Sequence, residues 1–422
     1  MATRHAHQAS GIRHQASGIR HQAMGGSMKQ GNQGRRVLIV GGGIAGCAAA
    51  ISLAQTGAQV TLVEAQPEWK FQSSGIFIYS NGLAALSELG VLPEILASGF
   101  AIADGRNIYL NQNGEPIVDT FYPSRYPGIA PIVGIRRAQM HRVLAARIAA
   151  LNVDVRLNTT AVSINQSSSH AVTVALSDGA VQTYDLVVGA DGIRSGIRRL
   201  VAGPIAPTYT GLGVWRSVHP RPSDLTAKIM MMGVGKRLGI MPISDDRLYL
   251  FGTIAEPHDA WYARAEWPAL MKARFAEFGG PARQFLDTLS CESEVLYTGV
   301  EEVATPLPWH LGRVVIIGDA AHASTPFMGQ GGAMALEDAV LLAQMLACNE
   351  AVEPTLQAFG EARYPLCKFV QDVSRAVGEA GAQEHAGTSS ARRDAMRREA
   401  QHKVDSFYAQ MEALRRSPVA GK

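Results

Sequence analysis

The sequence predicts an α/β protein in which a parallel-sheet domain is interrupted by a β-rich domain and followed by C-terminal helices. Near the start, the apolar pattern of a buried strand at 37–40 precedes a helical run at 45–55 and a second strand at 59–64. The same pattern returns at 313–317, after a long β-rich stretch, and a helical run follows at 331–346. Because strands that alternate with helices form parallel sheets, both ends of the chain should contribute to one sheet.

The predicted boundaries follow the changes between these patterns. Residues 35–105, 126–204 and 301–346 are assigned to the parallel-sheet domain, residues 106–125 and 205–300 to the β-rich domain, and residues 347–422 to C-terminal helices. Asn113 and Gly114, between alternating apolar and polar residues, predict a hairpin. Residues 1–27 repeat HQASGIR and have no core pattern, so we expect a disordered tag outside the fold.

Composition limits the classes of partner. Lys and Arg number 39 and Asp and Glu 36, and the first 27 residues hold three of the arginines and no acid. The remainder is therefore nearly neutral, and neither a nucleic acid nor a membrane is an expected partner. No run of about 18 apolar residues is evident, so no transmembrane helix is expected. We expect a cytoplasmic monomer or homodimer.

The four cysteines show no spacing typical of a redox pair or a metal site. They are therefore predicted to be buried thiols in a reducing compartment, and no metal is expected. They are Cys47, Cys291, Cys348 and Cys367.

A glycine-rich turn joins the first strand to the first helix. In such turns the first glycine permits the tight bend, the second lets a diphosphate approach the backbone, and the third lets the helix pack against the strand. The amide groups and the positive end of the helix attract the diphosphate. Glu64 ends the second strand about 20 residues on, where a carboxylate can accept hydrogen bonds from ribose hydroxyls. This order of elements predicts a Rossmann-like dinucleotide-binding unit. Its motif residues are Gly41, Gly43, Ile44, Ala45, Gly46 and Glu64.

Two further motifs follow buried strands. Asp191-Gly-x-x-Ser195-x-x-Arg198 comes after the strand at 186–188, although Asp and Gly at such a place can form only a tight turn. Asp319 follows the strand at 313–317, and ligands of α/β sheets bind at the carboxyl ends of strands. Glycines at 329, 331 and 332 would let a second helix N-terminus approach the ligand. His322 is expected to pack beside that ligand.

Together, residues 35–378 resemble the class A FAD-dependent aromatic monooxygenases, the family of para-hydroxybenzoate and salicylate hydroxylases. The resemblance implies that the glycine turn and Glu64 hold the ADP half of FAD, and that Asp319 holds the ribityl chain. It also implies that the Asp191–Arg198 motif serves both FAD and NAD(P)H. Lys70 stands where the family usually has arginine. The further FAD contacts implied are Lys70, Arg137, Asp191, Arg198, Asp319, Pro326, Gly329, Gly331 and Gly332.

The resemblance implies an activity: hydroxylation of a small phenolic or heteroaromatic compound with O₂ and NADH or NADPH, through a C4a-hydroperoxide of the flavin. The β-rich domain has no readable motif. His219 and Tyr249 are candidate bases that could ionise a phenol, although a packing role fits each. Candidate substrate contacts, equally consistent with a sheet core or a surface, are Trp215, Arg216, Met230, Met241 and Phe251.

Other functions remain open at this stage. A halogenase or a hydroxylase of polycyclic compounds could use the same scaffold, although the chain lacks the halogenase run Trp-x-Trp-x-Ile-Pro. A flavin disulfide reductase would need a Cys-x-x-x-x-Cys pair, which the sequence lacks. A sensor that binds flavin or NAD without catalysis is the alternative from another class.

Overall fold

The computed structural model describes residues 31–69, 74–258, 260–383 and 389–416. The expected tag and Lys70 lie outside these residues. The strands are β1 Arg36–Val40, β2 Gln59–Val63, β3 Gly75–Tyr79, β4 Phe100–Ile102, β5 Arg106–Asn111, β6 Pro116–Phe121, β7 Ile132–Arg136, β8 Asp154–Arg156, β9 Ala161–Asn165, β10 Val172–Leu176, β11 Val181–Tyr184, β12 Leu186–Gly189, β13 Thr208–Pro220, β14 Lys228–Gly233, β15 Lys236–Pro242, β16 Arg247–Ala255, β17 Val295–Glu302, β18 His310–Leu311 and β19 Val314–Ile316. The helices are α1 Ile44–Gln55, α2 Ser80–Glu88, α3 Leu92–Ser98, α4 Arg137–Ala150, α5 Gly196–Ala202, α6 Trp267–Arg274, α7 Gly280–Asp287, α8 Asp319–His322, α9 Gly331–Cys348, α10 Val352–Ala382 and α11 Ser389–Arg416.

Both ends of the chain contribute to one six-stranded sheet, of order β18-β19-β12-β1-β2-β8. β1 pairs in parallel with β2 and β12, and β12 pairs in parallel with β19. The apolar residues Val37–Val40 of β1 are almost wholly buried, and α1 packs against α4 and α9. The predicted α/β fold with a discontinuous Rossmann-like domain, a β-sheet domain and C-terminal helices is therefore confirmed.

A seven-stranded sheet, of order β17-β13-β16-β15-β14-β5-β6, forms the β-rich part. The hairpin of β5 and β6 joins it through parallel pairing of β5 with β14. One face of this sheet packs on α6 and α7 around Met271, Phe275, Phe278 and Phe285. The two smaller sheets have the orders β11-β10-β9 and β3-β7-β4.

Helix α9 is long and apolar enough, by length and composition, to cross a membrane, although the sequence led us to expect no such segment. Half of it is buried inside the fold, and it packs against α1 and α2. The buried side of α9 includes the carboxylate of Asp338, which is 0% exposed. These contacts are those of a core helix.

The last helix is rich in charged residues but also has a buried side. Helix α11 packs against β6 and α10 and buries Phe407, Tyr408 and Met411. Near its end, Arg415 forms an ion pair with Glu337 of α9, with 2.6 Å between nitrogen and oxygen. The helix is therefore part of the folded body.

The cysteines are all free thiols. The prediction of burial holds for Cys47 and Cys367 and is wrong for Cys291 and Cys348, which are exposed.

Candidate cofactor and substrate site

At Gly41 and Gly46 the glycine turn after β1 is packed so closely that side chains would not fit. Gly41 has φ +106°, and a Cβ on it would lie 2.5 Å from the carbonyl oxygen of Ala190. A Cβ on Gly46 would lie 1.8 Å from the carbonyl oxygen of Gly41. Gly43 is the N-cap of α1 and no side chain caps the helix. The first-turn amides are thus available to a diphosphate.

Glu64 closes the other side of the turn. Its Oε2 accepts a hydrogen bond from the Gly42 amide at 2.7 Å, and its Oε1 accepts one from the Gln66 amide at 2.8 Å. Each oxygen keeps a lone pair that could accept from a ribose hydroxyl. His141 of α4, which sequence reasoning missed, has its Nε2 2.6 Å from the Gly42 carbonyl oxygen. Burial lowers the pKa of His141 to about 4, so a neutral ring can donate this bond.

The side chains of the Asp191–Arg198 motif, which follows β12, form hydrogen bonds within the chain. The Asp191 carboxylate accepts from the Ser195 hydroxyl and from the first amides of α5. Arg198 is 2% exposed, and its guanidinium donates to three backbone carbonyls, one of which is that of Ala320 at 3.1 Å. The assignment of Arg198 as a contact for FAD and NAD(P)H is therefore corrected. Arg198 holds the segment that carries Asp319.

Asp319 begins α8 and is exposed. The four parallel strands β1, β2, β12 and β19 end at the same edge of the sheet. The glycine turn, Glu64 and Asp319 therefore share that edge. A Cβ on Gly318 would lie 2.7 Å from the Cβ of Ala45, which shows how closely α8 approaches the glycine turn.

His322 faces away from this edge and belongs to a buried ionic network. Its Nε2 lies 2.6 Å from Asp338 Oδ2, and Arg363 Nε donates to Asp338 Oδ1 at 2.7 Å. Burial disfavours the charge on Asp338, but the attraction of His322 and Arg363 outweighs this effect and lowers the pKa of Asp338 to about 2. Burial likewise opposes the charge on His322, but Cys367 and Asp338 raise the pKa of His322 well above its usual value. The network joins α8, α9 and α10.

A second uncapped helix start lies at α9. No side chain caps it and its first turn has no acid, so the amides near Gly331 and Gly332 are free to face an anionic or carbonyl oxygen. Gly329 precedes it with φ +64°, and a Cβ there would lie 2.7 Å from a ring carbon of Phe77. Arg137 is exposed at the start of α4.

These groups fit FAD by their chemistry. Two uncapped helix N-termini suit the diphosphate and the flavin ring, Glu64 and Asp319 offer oxygens to hydroxyl groups, and Arg137 is free to approach a phosphate.

A cavity of about 940 Å³ lies between the free face of the seven-stranded sheet, the turn Pro326–Met328 and helices α10 and α11. Apolar and aromatic side chains dominate its wall. The basic side chains in the wall are Arg216, Lys228, Arg237, Arg392, His402 and Lys403, and the described residues that line it include no carboxylate.

The cavity separates the predicted substrate and base candidates into two groups. Four line it, namely Arg216, Met230, Tyr249 and Phe251. Arg216 Nε donates to the Tyr249 hydroxyl oxygen at 3.1 Å. Burial raises the pKa of Tyr249 although Arg216 opposes it, so Tyr249 is a neutral phenol and a poor base at neutral pH.

Three candidates lie elsewhere, and their assignment is corrected. Neighbouring residues of a strand point to opposite faces of a sheet, so Trp215 cannot share the face of Arg216. It packs in the core under α6 and α7. His219, four residues after Trp215, shares that face and has its Nε2 2.7 Å from Ser217 Oγ. Met241 is buried in the main core, where its methyl group approaches Gly134.

Sequence reasoning missed the polar end of the cavity, formed by Lys228 with Tyr79, Tyr109, Tyr122 and Tyr408. One signal was available. Lys228 begins the alternating run that continues through Met230 and Met232, so it had to share their face. The tyrosines come from four separate elements, and no pattern in the sequence connects them.

The chain matches known flavoproteins along most of its length. Residues 35–374 match the family described as "FAD binding domain". The chain is 36% identical over 351 residues to 2-heptyl-3-hydroxy-4(1H)-quinolone synthase of Pseudomonas aeruginosa, which covers 82% of this chain and 89% of that relative. It is 29% identical over 394 residues to salicylate hydroxylase of Pseudomonas putida, with 83% and 87% covered.

Among solved structures, Klebsiella pneumoniae HpxO complexed with FAD and uric acid has a similar fold. The TM-score is 0.80 at 22% identity, over 92% of this chain and 98% of that chain. The chain belongs to the class A FAD-dependent aromatic monooxygenases. It is an FAD-dependent hydroxylase.

Proposed function

We propose that this enzyme uses O₂ and NADH or NADPH to hydroxylate a phenolic or heteroaromatic compound large enough to need more than a single ring. The cavity beside the Pro326–Met328 turn carries the proposal. A cavity of about 150 Å³ holds benzene, whereas this one has about 940 Å³ and a mainly apolar wall. A bicyclic ring with an apolar substituent therefore suits it.

Similarity to a relative supports this size class. The name of the P. aeruginosa enzyme specifies a quinolone that bears a heptyl chain and a hydroxyl group. A related quinolone would place its bicyclic ring and its chain in a pocket that is lined by aromatic and methionine side chains. The smaller compound named for the P. putida relative, salicylate, is the alternative to test beside it.

Bound FAD would supply reductive activation of O₂ with electrons from the nicotinamide. The residues suited to hold FAD are those of the Gly41–Gly46 turn with Glu64, Arg137 and Asp319. The sheet, α10 and α11 line the cavity and would shield a bound aromatic ring from bulk water. Arg216 and Tyr249 place hydrogen-bond donors on the cavity wall, where they can orient a polar group of the substrate.

The nicotinamide nucleotide has no second glycine-rich turn within the described residues. We infer that it binds transiently at the surface near Asp191.

The proposal is tested with purified, FAD-loaded protein and oxygen-18 gas. Two compounds are compared: salicylate and 2-heptyl-4(1H)-quinolone, which lacks only the 3-hydroxyl of the product named above. The expected result is NAD(P)H consumption coupled to a product that carries one oxygen-18 atom, with the quinolone preferred. Consumption of NAD(P)H that yields only hydrogen peroxide, with each member of a wider bicyclic panel, would refute the hydroxylase proposal.

A further inference from the structure

We propose that Lys228 selects the substrate by binding an ionised oxygen on its aromatic ring system. This inference rests on the aromatic hydroxylase function proposed above. It concerns the polar end of the cavity, and it predicts that substrates carry a carboxylate or a ring hydroxyl that binds as its anion, which includes the 4-hydroxyquinoline tautomer of a 4(1H)-quinolone.

Lys228 is a buried cation without an anion. It is 4% exposed, and it forms no ion pair with any carboxylate in the part of the chain that the structure describes. Its Nζ donates to the Tyr79 hydroxyl at 3.2 Å and to the Tyr122 hydroxyl at 3.1 Å. An ammonium has three N–H donors, so one remains for a group in the cavity. Burial of an uncompensated charge is costly, and a bound anion would remove that cost.

The surrounding aromatic rings compensate the buried charge of Lys228 only in part. The Nζ lies 4.7 Å from the ring centroid of Phe77 and 5.0 Å from that of Tyr122. Cation–π contacts of this kind stabilise an ammonium, but they leave the third N–H unused.

Polar groups without partners lie on the same face of the sheet. Lys228 pairs across the sheet with Asn107, and Asn107 pairs with Thr120. Cross-strand partners point to the same face, so these side chains flank the lysine. The Asn107 amide and the Thr120 hydroxyl are buried without a hydrogen-bond partner of ordinary geometry. Such groups are rare in a core, and here they lie beside Lys228, which lines the cavity.

The titratable groups that face Lys228 are the phenols of Tyr79, Tyr109, Tyr122 and Tyr408, and Arg237 is nearby. Burial raises the pKa of all four phenols, that of Tyr109 to about 12. They are therefore neutral near pH 7. Burial lowers the pKa of Lys228 to about 8 and that of Arg237 to about 10. This end of the cavity is thus cationic at neutral pH and loses the charge of Lys228 as the pH rises.

The position of Lys228 also suits ring orientation. Phe77 and Tyr79, which flank the lysine, contact the Gly329 turn, where an added Cβ would lie 2.7 Å and 2.9 Å from their rings. A substrate oxygen held at Lys228 therefore fixes the ring next to the turn that precedes α9.

The test measures ligand binding to the FAD-loaded enzyme. The probes are 2-naphthoate and its neutral counterpart 2-naphthamide, titrated by calorimetry and by changes in the visible flavin spectrum. The variants are Lys228→Met, Lys228→Arg and, as a matched control, Lys236→Met, because Lys236 lies in the same sheet but pairs with Glu277. FAD content and thermal unfolding verify the fold of each variant.

Lys228→Met should weaken 2-naphthoate binding by about tenfold or more, which is the loss of one charge-assisted hydrogen bond. Binding of 2-naphthamide should change little, Lys228→Arg should retain most of the affinity, and Lys236→Met should change neither ligand. In the wild type, 2-naphthoate affinity should fall as the pH rises through about 8, and this fall should vanish in Lys228→Met.

Titration of 4-nitrophenol on the same proteins distinguishes the source of the anion. A shift of the bound ligand toward its yellow phenolate that depends on Lys228 assigns a ring hydroxyl, and its absence assigns a carboxylate.

Equal losses of affinity for 2-naphthoate and 2-naphthamide in Lys228→Met would overturn the inference, because Lys228 would then only shape the cavity. Unchanged binding in Lys228→Met, or no binding of either anion to the wild type, would also overturn it. The proposed function is judged separately by oxygen-18 incorporation. Anion binding that depends on Lys228 without hydroxylation of any aromatic would refute that function and leave the inference intact.

Discussion

At the scale of single residues, Asp319 and Asp338 lie in one corner of the fold and have opposite surroundings. Asp319 is exposed at the edge where the parallel strands end. Asp338 is 0% exposed and accepts hydrogen bonds from His322, Arg363 and the Gly318 amide. The Asp319 carboxylate is available to a ligand, whereas the Asp338 carboxylate stabilises the fold. Their substitutions should therefore have different consequences.

Asp319→Ala should weaken FAD binding by about tenfold or more, because a charged acceptor for a hydroxyl group is worth about 1.5–3 kcal/mol. Thermal unfolding of the apoprotein should change little, since the side chain is exposed. The measurement is a fluorescence titration of apoprotein with FAD. Asp287→Ala, a change at another exposed acid, is the control. Unaltered FAD affinity in Asp319→Ala would show that this carboxylate does not hold the cofactor.

Asp338→Asn should destabilise the folded protein by about 3–5 kcal/mol, because it leaves Arg363 and His322 buried without their anion. The pKa of Asp338 is depressed to about 2, so its stabilising contribution is complete above its unfolded value near 3.8 and is lost as the pH falls toward 2. Urea unfolding should therefore show a difference between wild type and variant that narrows below about pH 4. A difference that stays constant down to the acid limit would contradict this assignment.

At the scale of elements, predictability followed the strength of local patterns. The start of α1 could be predicted because Gly41 and Gly46 each meet a steric demand of the turn, and Gly43 leaves space for a diphosphate to approach the backbone. The cavity face of β13 was not resolved, since Trp215 and Arg216 were both proposed to contact substrate although strand alternation separates them. The role of α11 was missed because its buried positions, Phe407, Tyr408 and Met411, stand among many charges, and only the fold shows what covers them.

Helix α11 closes one side of the cavity, so loosening it should affect substrate more than cofactor. Phe407 is 6% exposed and stacks on Phe369 with 5.5 Å between ring centroids. Phe407→Ala should weaken this docking by up to about 3–5 kcal/mol. Limited trypsin digestion should cut α11 faster, and affinity for 2-naphthamide should fall while FAD content is unchanged. Asp405→Ala, at an exposed position of the same helix that neither lines the cavity nor is a trypsin cleavage site, serves as the control. If both variants are digested alike, the stacking does not secure the helix.

At the scale of the whole molecule, the discontinuous architecture was predictable and the cavity was not. Apolar strands at both ends of the chain indicated a shared sheet, and β1, β12 and β19 do lie side by side in it. The cavity exists only where β14, the turn before α9 and α11 meet. Its polar end is formed around Lys228, which lies far along the chain from Tyr79 and Tyr408. No local sequence pattern predicts this cavity, because it forms only through the tertiary packing of elements that are distant in the chain.

The same arrangement predicts that substrate controls the consumption of NAD(P)H. The described residues have one glycine-rich dinucleotide turn, which the proposed function assigns to FAD. Under that proposal nicotinamide binds transiently and meets the flavin by a change in the relative positions of the two rings. A ligand can shift such an equilibrium only by its differential affinity for the two states. A tenfold faster reduction requires about 1.4 kcal/mol of preference, which burial of an aromatic ring in the apolar cavity can supply. Stopped-flow reduction of the flavin without oxygen should therefore be at least about tenfold faster with the hydroxylated substrate than without it. Phe407→Ala should reduce that ratio, because the loosened α11 binds substrate less tightly. Equal reduction rates with and without substrate would show that the cavity does not control electron entry, even in an enzyme that hydroxylates its substrate.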